Sequence, residues 1–314
     1  MKLLITGIHG FVGTNLVAAL KDKCEIYGLD IVAPEKNWIK KTFSWEDLEK
    51  ETIPQVDAII HLAGKAHDTK NKATAEVYFK INTELTKKIY DYFLASNAKK
   101  FVFFSSVKAA ADFVPGDVLT EDVVPAPVGP YGESKIRAEE YIQSMPYPTD
   151  KQVYILRPCM IHGPGNKGNL NLLYGVVRKG IPWPLGSFDN RRTFTSVDNL
   201  TFVINGLLTK DVESGIYHMA DDEAISTNCL IEIICKSLGK KAHIWHVNKG
   251  LIECAAKIGN LLHLPLNTDR LNKLTENYVA SNAKIKQALG IEKMPIRAEE
   301  GLMRTLNSFK EKIK

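Results

Sequence analysis

Lys2-Leu3-Leu4-Ile5-Thr6-Gly7-Ile8-His9-Gly10-Phe11-Val12-Gly13 decides how the rest of this chain is read. An apolar run of strand length ends at Gly7. Glycines then recur at every third position and open a stretch of helical periodicity reaching residue 21. Glycine at such places lets the backbone turn tightly, approach a phosphate and pack the helix on the strand. The free N–H groups and positive dipole end of that helix would face an anion. Strand, glycine turn and helix in this order predict a dinucleotide-binding unit, with Gly7, Gly10, Phe11, Val12 and Gly13 as its cradle.

The next segments extend that reading. A second apolar run, 25–30, ends in Asp30, placed to take the adenosine ribose hydroxyls. A carboxylate there repels a 2′-phosphate, and Ile31-Val32 follow it where an arginine would be needed, so NAD is expected over NADP. A third run, 58–62, ends in His61-Leu62-Ala63-Gly64, whose small residues would let a cofactor lie across the sheet edge. Further strands are expected at 101–105, 153–156 and 215–219, with a weaker one near 42–45. Helical periodicity covers 74–96, 131–144 and 197–208. Strands alternating with helices, and strands that are continuously apolar, predict an α/β fold: a Rossmann-type, doubly wound parallel sheet. After Arg157-Pro158 the chain becomes rich in glycine and proline, and from 225 it reads as mostly helical. This divides it into a dinucleotide-binding domain (1–157 plus about 194–219) and a smaller, mostly helical substrate domain (158–193 and 220–314).

Tyr131-Gly132-Glu133-Ser134-Lys135 is the second informative motif. Tyr131 and Lys135 fall on one helical face. A phenol with a pKa near ~10 is a poor base at neutral pH, and a neighbouring ammonium would lower it. Lys135 could do this and also hold the nicotinamide ribose. Tyr131 would then exchange a proton with a sugar hydroxyl while a hydride moves. Ser105-Ser106 ends an apolar strand upstream, and Ser106 could hydrogen-bond the reacting oxygen.

Taken together, Gly7-x-x-Gly10-x-x-Gly13, His61-Leu62-Ala63-Gly64, Asn82, Ser105-Ser106, Tyr131-x-x-x-Lys135 and Leu156-Arg157-Pro158 resemble the extended short-chain dehydrogenases. These include the NAD-dependent nucleotide-sugar epimerases and dehydratases. The resemblance implies Ser106, Tyr131 and Lys135 as the catalytic set. It also implies a cofactor site that includes Leu62, Ala63, Gly64, Asn82, Tyr131 and Lys135. Asn82 could instead make a purely structural bond. Phe104–Lys108, residues 127–132, Gly163–Asn169, and Pro184-Leu185-Gly186 with residues 189–192 resemble one branch, UDP-glucose 4-epimerase-like. That branch also holds reductases of UDP-4-keto-6-deoxy-N-acetylhexosamines that serve surface-polysaccharide synthesis. The resemblance places Asn169 and Arg192 against the nucleotide's phosphates, with Ser106, Lys108 and Arg270 as further substrate residues. The family's dehydratases need carboxylates just after the catalytic Ser or Thr. Val107 and Lys108 stand there, so 4,6-dehydration is not expected. Many relatives also bind adenine with an aspartate near the third strand's end, where this chain has Ser44-Trp45.

The 314 residues are 45% hydrophobic and 25% charged, with net charge +5. That suits a soluble globular chain. The lysine clusters at 36–41, 70–72 and 310–314 lack interleaved aromatics and read as solvated surface, not a nucleic-acid site. The five cysteines include no Cys-x-x-Cys pair, which disfavours zinc and a disulfide framework and suits a cytoplasmic protein. No run reaches the ~20 apolar residues of a membrane span. Residues 251–264 read as an amphipathic helix packed on its own domain. The expectation is an enzyme acting at C4 of a UDP-hexose or UDP-N-acetylhexosamine: a 4-epimerase, or alternatively a 4-ketoreductase. A non-catalytic dinucleotide sensor would have no need of Ser106, Tyr131 and Lys135. A homodimer formed through helices 74–96 and 131–144 is expected from the resemblance.

Overall fold

The computed structural model describes residues 1–50, 52–66, 73–262 and 266–311. The lysines of 70–72, and the ends of the 251–264 and 310–314 stretches, lie outside the described residues. Among the described residues nine strands are formed: β1 (Lys2–Thr6), β2 (Glu25–Leu29), β3 (Ile39–Phe43), β4 (Ala58–His61), β5 (Lys100–Phe104), β6 (Gln152–Pro158), β7 (Met160–His162), β8 (Phe194–Ser196) and β9 (Gly215–Met219). The helices in the dinucleotide-binding half are α1 (Phe11–Leu20), α2 (Trp45–Glu49), α3 (Ala75–Tyr78), α4 (Leu85–Ala95), α5 (Val107–Ala110) and α6 (Pro130–Ser144). They are followed by α7 (Asn169–Arg178), α8 (Val197–Thr209), α9 (Thr227–Ser237), α10 (Lys249–Leu261), α11 (Thr268–Thr275), α12 (Ala283–Leu289) and α13 (Ala298–Glu311).

Seven strands form one sheet in the order β3-β2-β1-β4-β5-β6-β9, every neighbouring pair parallel. This is the doubly wound sheet the sequence predicted. The chain starts at β1, winds outward to β3, returns beside β1 as β4 and winds the other way. Side chains alternate faces along each strand. Leu3 and Ile5 therefore join a core with Leu16 and Leu20 of α1 and Leu200 and Val203 of α8. Leu4 joins a core on the opposite face with Ile89 and Phe93 of α4 and Ala138 of α6. Each fully buried leucine, isoleucine, valine or phenylalanine among them contributes about 1.5–3 kcal/mol relative to exposure. A third core gathers Leu170 and Tyr174 of α7, Ile234 of α9, Ile252 and Ala256 of α10, and Leu302 and Leu306 of α13. Ile285 and Leu289 of α12, together with Met294, belong to the first core although they lie far along the chain.

Two local features differ from the expectations. The strand expected at 42–45 runs instead from Ile39 to Phe43, and Trp45 starts α2. A capping box stops the strand: Asp47 N donates to Ser44 Oγ at 3.2 Å, and Ser44 N donates to the Asp47 carboxylate at 2.8 Å. The helix expected at 74–96 is broken in phase by a π-helical segment, Phe79–Glu84, between α3 and α4. Helix α10 buries Ile252 and Ala256, while Leu251 and Leu261 are exposed. Among the described residues no helix is long and apolar enough to cross a membrane.

Candidate active site

The winding direction reverses between β1 and β4, which opens a crevice at the carboxyl ends of those strands. Two loops leave the sheet there, and glycine lets them touch. Gly7 has φ of +67°, and a Cβ on it would lie 2.8 Å from Ala63 N. A Cβ on Gly13 would lie 2.5 Å from Ile8 O. Helix α1 starts at Gly10 with no side-chain cap and no acidic residue in its first turn. The N–H groups of that turn are thus left for an anion. Asn15 Nδ2 donates to Pro164 O at 2.9 Å and ties the 163–165 loop to the same helix.

Asp30 follows β2. Its carboxylate accepts from His9 N at 3.0 Å and Ile31 N at 2.7 Å, which fixes it against the glycine loop. An uncapped helix start beside an anchored carboxylate fits a dinucleotide with free ribose hydroxyls. NAD(H) should accordingly bind more tightly than NADP(H) when both are titrated into the protein. Equal or tighter NADP(H) binding would contradict the role given to Asp30.

The 62–65 loop is held by a chain of buried hydroxyls. Thr86 Oγ1 donates to Asn82 O at 2.6 Å, so His61 Nε2 must donate to Thr86 Oγ1, 2.9 Å away. Thr6 Oγ1 then donates to His61 Nδ1 at 2.6 Å and accepts from Ala63 N at 3.0 Å. His61 is neutral, since burial pushes it down to about 3. Asn82 is fully buried in the π segment. Its Oδ1 accepts from Lys65 N at 2.7 Å, and its Nδ2 donates to Ser134 Oγ at 2.9 Å. Asn82 therefore clamps the loop to α6. A Cβ on Gly64 would sit 3.1 Å from Asn82 Oδ1 and 3.2 Å from Lys135 Nζ, so this glycine separates the clamp from the lysine.

Ser106, Tyr131 and Lys135 converge beyond β5. Ser106 caps α5, and its side chain is hydrogen-bonded to that of Tyr131. The Tyr131 ring meets Tyr78 edge-on at 6.2 Å. Lys135 is buried and its Nζ donates to Phe104 O at 2.7 Å. Burial pushes Lys135 down to about 8, against the pull of Glu139. Tyr131 is moved the other way from the sequence expectation. Burial raises the phenol, and the Ser106 bond opposes this only in part. Burial dominates because a buried phenolate loses its hydration, and Lys135 is not among the groups that shift this phenol.

The candidate substrate residues are more dispersed. Asn169 begins α7 and is exposed. Arg192 Nη2 donates to Glu276 Oε1 at 2.5 Å, so a phosphate would have to share Arg192 with that carboxylate. Lys108 Nζ donates to Asp112 O and Oδ1, both at 2.9 Å, and lies 4.6 Å from the Tyr278 ring centre. Arg270 is exposed on α11. Sequence reading missed Thr6, Asn15, Thr86, Ser134, Glu139 and Glu276. Glu139 alone carried a signal, one helical turn beyond Lys135.

Residues 3–220 match the model of the NAD dependent epimerase/dehydratase family. The chain belongs to that family. It is therefore an enzyme, and NAD is the family's cofactor, supplying when bound an acceptor and donor of hydride. The UDP-glucose 4-epimerase of Vibrio cholerae is 28% identical over 98% of this chain and 95% of its own length. A Pseudomonas aeruginosa UDP-2-acetamido-2,6-beta-L-arabino-hexul-4-ose reductase is 30% identical over 68% of this chain and 52% of its own. The UDP-glucuronic acid 4-epimerase of Bacillus cereus, solved with NAD, superposes with a TM-score of 0.75 at 19% identity, covering all of both chains. This likeness shows the family's fold.

Proposed function

We propose that the protein is a nucleotide-sugar 4-epimerase that oxidises and re-reduces C4 of a UDP-hexose or UDP-N-acetylhexosamine. The observation that carries this reading is the convergence of the bonded Ser106–Tyr131 hydroxyls and Lys135 at the end of β5. Tyr131 takes the proton of the C4 hydroxyl as hydride leaves C4, with Ser106 holding the same oxygen. The keto sugar turns over, and hydride and proton return on its other face. No carboxylate stands at Val107 or Lys108 to remove water from the sugar. Asn169, Arg192, Lys108 and Arg270 are assigned to the sugar nucleotide, with Glu276 shared by Arg192. We place the protein in the cytoplasm as a homodimer through the helical stretches 74–96 and 131–144, with the cofactor and substrate regions as two domains.

A second reading is a 4-ketoreductase, favoured by the similarity to a UDP-sugar reductase. The two differ in electron balance. An epimerase regenerates its NAD, whereas a reductase consumes NADH mole for mole. Purified protein is given UDP-glucose, UDP-N-acetylglucosamine and a UDP-4-keto-6-deoxy-N-acetylhexosamine, each with and without NADH. The expected result is interconversion of C4 epimers without added NADH. Turnover confined to the keto sugar, with NADH oxidised, would replace the epimerase by the reductase.

A further inference from the structure

The face of α6 that carries Tyr131 and Lys135 continues one turn further to Glu139, which is fully buried. Its carboxylate accepts a short hydrogen bond from Ser105 Oγ. It also accepts from Arg157 Nε at 3.0 and 3.1 Å and from Arg157 Nη2 at 2.6 Å. Arg157 comes from β6 and is 1% exposed. One carboxylate thus joins α6, the end of β5 and β6, immediately below the candidate catalytic groups. Ser105 precedes Ser106, and its N–H continues the sheet ladder to Leu156 O at 2.8 Å. Anchoring Ser105 at its side chain as well as its backbone fixes the turn from which Ser106 meets Tyr131.

The charges around this point are few. Lys135 lies one turn before Glu139, and Arg157 grips it from β6. His61 on β4 and His218 on β9, the latter paired in register with Arg157, are both held neutral by burial, at about 3 and about 4. Glu139 is therefore the negative partner between two buried cations. Buried ion pairs are often replaceable by apolar side chains without loss of stability. Fold stability alone therefore gives little reason to keep this one beneath the reacting groups.

We propose that Glu139 is a positioning residue: held by Arg157, it fixes the Ser105-Ser106 turn against Tyr131 and offsets the buried charge of Lys135. This rests on the assignment of Ser106, Tyr131 and Lys135 as the catalytic set. Its consequence for pH has a definite sign. Burial already lowers Lys135 to about 8, and Glu139 works against that lowering. Without the carboxylate, burial acts unopposed and Lys135 loses its proton at lower pH.

The test is Glu139→Gln, which keeps the shape and removes the charge. The expected result is a fall in kcat of about 10- to 100-fold, as for reacting groups held slightly out of place. KM for the sugar nucleotide should be little changed, and the high-pH limb of kcat should move to lower pH. This variant leaves Arg157 charged and unpaired, and it could fail to fold. A double variant, Glu139→Gln with Arg157→Met, removes both charges and avoids that penalty. The double variant should fold and still show the lowered kcat and displaced limb. A readout without sugar is the phenolate absorbance of each protein minus that of its Tyr131→Phe counterpart. In the double variant, where the two lost charges offset one another, weakening of the Ser106 bond should make Tyr131 ionise at higher pH than in the wild type. A folded double variant with wild-type kcat, limb and Tyr131 ionisation would overturn the proposal and leave the pair purely structural. Full activity of Tyr131→Phe in the otherwise wild-type protein is a different failure, that of the catalytic assignment itself.

Discussion

Tyr131→Phe will lower kcat by about 10² or more while the protein remains folded and binds NAD nearly as before. The substitution removes one hydroxyl. The ring keeps its edge contact with Tyr78, while the hydrogen bond with Ser106 is lost. A single such bond contributes about 1 kcal/mol, so melting should change little. Turnover should depend on the same oxygen far more, because Tyr131 is the group proposed to exchange the C4 proton. Lys135→Met provides the contrasting case. It strips the buried donor from Phe104 O and the charge beside the phenol, so both turnover and NAD affinity should fall. Steady-state kinetics, NADH titration and thermal melting of both variants decide the matter. A Tyr131→Phe enzyme within about threefold of wild-type kcat would remove Tyr131 from the proton-transfer role.

Gly13→Val should be the most damaging change in the cofactor half. The first added carbon would sit 2.5 Å from Ile8 O and 2.7 Å from Gly7 O, both main-chain atoms. Neither can swing aside as a flexible side chain would. The start of α1 would have to lift from β1, and the glycine loop with it. Overpacking of this kind costs about 1–3 kcal/mol, seen as a drop of several degrees in Tm. Because the displaced turn is the one proposed to receive the pyrophosphate, NAD binding should be lost over the range that saturates the wild type. A variant with unaltered melting and NAD affinity would show that Gly13 serves neither purpose.

The sheet was legible because its strands are marked twice, by apolar runs and by what ends them. Gly7, Asp30, Gly64 and Ser105 each follow a strand within a few residues. β3 was misplaced because its signal is weak. Lys40 and Lys41 occupy its middle, as charged residues often do on an edge strand, and Ser44 reads as loop until its bond to Asp47 is seen. Ser106, Tyr131 and Lys135 were readable because they sit on one strand end and one helix face. The groups that hold the surrounding loops were not. Thr6 and Thr86 are separated by eighty residues of chain and meet only through His61. The Arg192–Glu276 pair likewise depends on how remote loops close, which local pattern does not encode.

The π-helical turn at Phe79–Glu84 has a rotational consequence. Tyr78 faces Tyr131, Asn82 holds the loop after β4, Thr86 completes the hydroxyl chain, and Tyr90 enters the second core. These residues are four apart. In a helix of 3.6 residues per turn, steps of four drift, and Tyr78 and Tyr90 would end roughly a third of a turn out of line. The wider turn winds more slowly and takes up that drift. One continuous rod thus acts as a clock hand that is stopped and restarted. Its first turn meets Tyr131, its last turns meet the core, and all four side chains contact α6 or the sheet.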